Sequence, residues 1–195
     1  MNYNLKDDTM KNSKIMKITF VGLMAALVFA ASYMRIVIPL SLGGNTAAIH
    51  FGNIFCVISG LLLGPLYGGL AAGIGSALYD LTNPLYISSM PFTLVFKFML
   101  AFVCGLIAYS KDRKAENFKV NVIAAAAGSL AYIILYLGRD FLNNIFFLQL
   151  QMMPTLVMTG QKAFASTVNA VLAVVIATPV FFVLKKALDN NNIKI

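Results

Sequence analysis

The stretch from Ala47 to Pro84, AAIHFGNIFCVISGLLLGPLYGGLAAGIGSALYDLTNP, decides the fold. It reads as two apolar helices meeting at Leu63-Gly64-Pro65-Leu66, with polar residues only near the two far ends. Gly60, Gly64, Gly68, Ala72, Ser76 and Asp80 recur every four residues, so a smooth stripe of small residues runs up the second helix and ends in a carboxylate. Lipid gives helices no hydrophobic reason to associate, and small residues let backbones approach until packing holds them. For the glycines, helix packing is sufficient explanation. Asp80 is different, because an ionisable group inside a membrane segment marks function by default.

Outward from this stretch the chain stays apolar. Of its 195 residues 59% are hydrophobic and 11% charged, which excludes an ordinary soluble domain and predicts one integral membrane domain, residues 1–195. The formal charge of +8 would suit nucleic acid, but the basic residues lie mainly in flanks and loops, the bias that orients a membrane protein; no nucleic-acid partner is expected. Cys56 and Cys104 sit inside apolar segments without a metal-ligand cluster, so neither a disulfide nor a metal site is expected.

The pattern predicts an all-α, polytopic bundle of six transmembrane helices at about 18–38, 49–63, 66–81, 91–109, 120–142 and 155–184. Residues 1–17 and 185–195 are polar tails, and Pro39 to Ala48 is a turn-rich connector. A cleaved signal peptide, suggested by Ala30-Ala31-Ser32, is the alternative for the first helix, but the apolar run continues past it. Six spans place eleven of the fifteen basic residues on one side, so both termini and the 111–119 loop are expected in the cytoplasm of a plasma-membrane protein.

The four remaining basic residues, Arg35, Lys97, Arg139 and Lys162, fall in the outer half with Asp80, Asp140 and His50. Tyr132, Tyr136, Arg139 and Asn143 share one face of the fifth helix, Lys162, Ser166 and Asn169 one face of the sixth, and His50 and Asn53 one face of the second. Aromatic surface with a few directed polar groups suits a small heteroaromatic or carboxylate-bearing molecule. The milder readings are that Arg35, Arg139 and Asp140 snorkel to the interface, that His50 starts a helix, that the tyrosines are interface anchors, and that Asp80 and Lys97 form a structural ion pair. Catalysis has no support: one histidine, no H-E-x-x-H, no G-x-S-x-G and no P-loop, so no catalytic or metal-binding residue and no cofactor is expected.

His50-Phe51-Gly52-Asn53, Gly60-Leu61-Leu62-Leu63-Gly64-Pro65-Leu66-Tyr67-Gly68-Gly69 and Gly75-Ser76-Ala77-Leu78-Tyr79-Asp80-Leu81 together resemble the membrane-embedded S component of energy-coupling factor (ECF) vitamin transporters. Pro91-Phe92-Thr93 with Lys97 is similar to the branch often labelled riboflavin-type, and Ala26-x-x-x-Ala30 to the small-residue motif by which S components dock on their scaffold. The resemblance implies a substrate-binding subunit that captures a vitamin, riboflavin as first guess, at the outer face. A transmembrane T subunit and two ATPase subunits would supply the energy, with ATP used by those partners. By position it points to Asn45, Lys97, Tyr132, Tyr136, Arg139, Asn143, Lys162 and Asn169 for the substrate, and to Gly22, Ala26 and Ala30 for docking. A solitary secondary transporter and a non-transporting membrane scaffold are the alternatives. The first would need coupling residues and an internal repeat. The second leaves the one-sided ionisable set unexplained.

Overall fold

A computed structural model describes residues 3–39, 46–191 and 193 of the chain. The order of elements is α1 (Tyr3–Tyr33), β1 (Arg35–Pro39), β2 (Thr46–His50), α2 (Gly52–Thr82), α3 (Met90–Ala108), α4 (Phe118–Leu142) and α5 (Met152–Asn190). Five helices among the described residues are long and apolar enough to cross a membrane. Of these α2 is the interior one: 72% of its most apolar window is buried, against 28% in each of the others.

Its course departs from a straight rod at Gly64, whose φ of 77° lies in the left-handed region that a side chain disfavours. The chain reverses there. Cys56 Sγ and Ser76 Oγ approach to 3.8 Å, although twenty residues of straight helix would separate them by about 30 Å. The four-residue stripe makes the reversal tight: a Cβ on Gly68 would sit 2.5 Å from the Ser59 carbonyl oxygen, and one on Gly105 of α3 would sit 2.6 Å from Gly64 itself. Pro65 brings no N–H, so the Leu61 carbonyl loses its helical donor at the turn. Tyr109, just past α3, replaces it, its hydroxyl donating to the carbonyls of Leu61 at 3.1 Å and Leu62 at 3.0 Å.

Close backbone contact recurs around this hairpin. A side chain on Gly75 would strike the Ala25 carbonyl of α1, one on Gly60 the Ala101 carbonyl of α3, and one on Gly128 of α4 the Leu100 carbonyl. The core between them is filled by Val57, Leu61, Leu100 and fully buried alanines such as Ala71, Ala101, Ala124 and Ala177. The glycine stripe is thus packing, as its spacing predicts.

Several boundaries differ from the sequence reading. The first helix begins by Tyr3 rather than near residue 18, because no glycine or proline occurs before Gly22 to end it. It stops at Tyr33 rather than Ile38, because Ile36-Val37-Ile38 before Pro39 is a β-branched run that favours extended backbone. That run pairs antiparallel with β2, Arg35 opposite His50 and Pro39 opposite Thr46. The expected second-helix start at 49 therefore moves to Gly52, and part of the expected connector is strand. Asn45, with Gly43 and Gly44, lies outside the described residues. At the other end of the chain, α4 continues into a wider turn at Asn143–Phe147, and α5 runs on to Asn190 instead of ending near 184.

Candidate functional site

The hairpin, both ends of α2 and the start of α3 converge at the end of the bundle opposite Gly64. Lys97 lies two turns into α3 and is 5% exposed. Its ammonium donates to Asn53 Oδ1, from the first turn of α2, and lies 4.0 Å from the centroid of the Tyr132 ring on α4. A buried ammonium needs a counter-dipole or a π face, and here it has one of each. Tyr136, one turn along α4, stacks on Tyr132 with centroids 5.7 Å apart and planes 11° from parallel. Tyr132 and Tyr136, grouped by their spacing on one helix, and Lys97, assigned to the same site by its position, are thus brought together. Asn53 completes them; its i, i+3 relation to His50 is its sequence signal, but its role depends on a contact 44 residues away.

Asp80 and Lys97, expected as an ion pair, make no salt-bridge contact among the described residues, although each feels the charge of the other. The described ion pairs are Lys162–Asp140 at 2.5 Å and Lys185–Glu116 at 3.8 Å. Asp80, 6% exposed, lies beside Thr93, one turn before Lys97 on α3. Lys162 is likewise engaged: its partner Asp140 also accepts from Asn144 Nδ2 at 3.4 Å, so α4 and α5 are cross-linked by a nearly buried pair. Arg139 faces α3, its guanidinium 4.6 Å from the Phe92 ring centroid. Asn143 is half-buried at the end of α4, where its carbonyl accepts from the Leu148 N–H.

Asn169 is 6% exposed and reads the backbone of β2. Its Oδ1 accepts from the His50 N–H at 2.9 Å and its Nδ2 donates to the Ala48 carbonyl at 2.8 Å, which ties the hairpin to α5. The other strand is tied to α2 through Arg35, whose guanidinium lies 5.7 Å from the Tyr79 ring centroid and 5.2 Å from that of Tyr86. Between these ties sits His50. Burial first, and then the nearby charges of Lys97 and Arg35, depress its pKa to about 3, so the imidazole is neutral at physiological pH. Its Nδ1 is enclosed without a hydrogen-bond partner.

The fold is shared with a solved protein, the S component for biotin from an ECF-type ABC transporter: 20% identity, 87% of this chain and 92% of that one, TM-score 0.61. Together with the five long apolar helices, this likeness defines the class by fold, a multi-pass helical membrane bundle. The match to the model for "ECF-type riboflavin transporter, S component" spans residues 12–186, and the chain belongs to that family. An uncharacterized protein of Pyrococcus woesei is 32% identical over 113 residues, which is 58% of this chain and 70% of that protein. Family and fold are those of vitamin-binding transporter subunits, not of enzymes.

Proposed function

We propose that the protein captures riboflavin at the end of the bundle that holds Lys97, and that partner T and ATPase subunits drive its release into the cell. The observation that carries this reading is the Lys97–Asn53–Tyr132–Tyr136 group. Lys97 spends one of its three donors on Asn53, leaving two for carbonyl acceptors on a flat ring lying against the tyrosines. Isoalloxazine offers such a ring and such acceptors. Asn45 and Asn143 would contact the more polar part of the vitamin, while Lys162 and Asn169 act chiefly by bracing α5 against α4 and the hairpin.

With the arms of α2 either side of Gly64 taken as separate crossings, the count is six and both termini lie on one side. The eleven-to-four asymmetry of basic residues makes that side cytoplasmic and the Lys97 end external. The small-residue stripe of Gly22, Ala26 and Ala30 would then receive the T subunit within the bilayer. Riboflavin fluorescence, titrated with purified protein in detergent, tests the substrate. Saturable quenching is expected, weakened about 10–100-fold by Lys97→Ala through loss of a buried polar contact. Absence of quenching at excess protein would refute riboflavin as the ligand.

A further inference from the structure

Five side chains with polar or ionisable groups, Asn53, Cys56, Ser76, Asp80 and Lys97, join the two arms of α2 to α3, and each is no more than 6% exposed. They lie on a closed ring. Lys97 donates to Asn53, Cys56 is one turn along α2 from Asn53, and its Sγ lies 3.8 Å from Ser76 Oγ on the returning arm. Asp80 is one turn beyond Ser76 and shares its face of the helix. That face is turned to α3: on Gly73, seven residues before Asp80, a Cβ would sit 2.8 Å from the Leu94 carbonyl oxygen. Asp80 accordingly meets the start of α3 beside Thr93, and Thr93 is one turn from Lys97, which closes the ring.

The two charges on this ring are neighbours that do not touch, since Asp80 and Lys97 make no salt bridge among the described residues. Buried charges held apart forgo the direct contact that would best offset their desolvation. A ligand edge that offers an acceptor to the ammonium and a donor to the carboxylate restores it. The aromatic wall is laid out for such an edge. Thr93, with Asp80, is one turn nearer the end of the bundle than Lys97, as Tyr136 is one turn nearer it than Tyr132, about 6 Å in each case. Lys97 stands at the level of Tyr132, so a ring lying along both stacked tyrosines spans the distance from the ammonium to the carboxylate.

We propose that Asp80 is a ligand-binding residue that accepts a hydrogen bond from a ring N–H while Lys97 donates to the carbonyl beside it, so that the site selects flat rings with an imide or lactam edge. The proposal rests on the site reading above and adds to it the group that sets specificity. Isoalloxazine has such an edge, its N3–H lying between two carbonyls. A ring that keeps the carbonyls but lacks the N–H leaves a buried carboxylate without a partner, and that penalty makes the discrimination large.

The test compares riboflavin with 3-methylriboflavin, which keeps the ring, both carbonyls and the ribityl chain but has no N3–H, by fluorescence titration of the purified protein. The wild type is expected to bind riboflavin about 10–100-fold tighter, the value of a hydrogen bond to a buried charge. The added methyl also takes up room, so the ratio is followed through two variants. Asp80→Ala should bring it close to one by weakening riboflavin, and Asp80→Asn, whose amide oxygen still accepts but carries no charge, should fall between. If Asp80→Ala fails to fold, the wild type and the asparagine variant still decide. Equal binding of the two flavins by the wild type would remove Asp80 from the site and leave riboflavin in it. A ratio unchanged in the variants, with both flavins weakened alike, would make Asp80 a structural residue. Failure of both flavins to bind the wild type would remove riboflavin and this contact together.

Discussion

A lysine ammonium placed among apolar helices is expensive, and Lys97 is stabilised by one amide oxygen, one aromatic face and the more distant charge of Asp80. Replacing a buried charge with an apolar side chain of similar volume is often neutral or stabilising by about 1–4 kcal/mol. Lys97→Met is therefore expected to leave thermal stability unchanged or raised while vitamin binding falls. Loss of both together in a melting and binding series would make Lys97 a structural residue. The sequence placed Lys97 correctly at depth, but it paired it with the only carboxylate on the preceding helix. The partner Asn53 was hidden because which arm of α2 faces α3 at that level depends on the reversal at Gly64, not on sequence distance.

His50 carries a second residue-scale consequence. Its folded pKa of about 3 lies below the ordinary value of 6.5, so the unfolded chain binds the proton more readily. The stability that the neutral imidazole preserves is fully present above pH 6.5 and is lost as pH falls from there toward 3. The melting temperature of the purified protein should drop across that window. His50→Gln should flatten the drop, and an identical pH profile in the variant would show that other groups cause it.

At the scale of elements, the reversal in α2 was legible because Gly64-Pro65 states it twice, by a left-handed turn and by a missing donor. The β1–β2 hairpin was not. Its strands are five residues each, too short to separate from the apolar run of α1 by hydropathy, and β2 is held in place by a side chain 119 residues away. Only the β-branched run before Pro39 carried a local hint. The hydrogen bonds of Tyr109 to Leu61 and Leu62 give this scale its prediction. Burial pushes the Tyr109 phenol up to about 12, so it remains a donor at any working pH. Tyr109→Phe leaves two carbonyls of the turn without that donor and is expected to cost about 1–3 kcal/mol of stability. Denaturation of the variant at the wild-type midpoint would show that the turn holds by packing alone.

For the whole molecule, one face of α1 remains available to a partner. Gly22, Ala26 and Ala30 are exposed while Met24, Ala25, Val28 and Ala31 are buried, and a Cβ on Gly22 would meet nothing within 4 Å. The spacing of these small residues and an outward-facing groove along them were legible in the sequence; the docking of α1 on Gly75 is what the fold adds. If the face seats a helix of the T subunit, Ala26→Trp blocks close approach and leaves the Lys97 end untouched. Uptake and co-purification of the T and ATPase subunits should then be lost while ligand binding by the isolated protein stays near normal. Normal transport by the variant would assign the stripe to lipid contact.

If this chain is a capture subunit whose ligand sits with Lys97, it should carry that ligand through purification. The wild-type protein and Lys97→Ala, purified at equal yield from cells grown with vitamins, can be denatured and their released small molecules identified by mass spectrometry. A flavin released from the wild type in about equimolar amount and depleted in the variant is the predicted result. A different compound, or equal amounts of flavin from both proteins, would contradict the account.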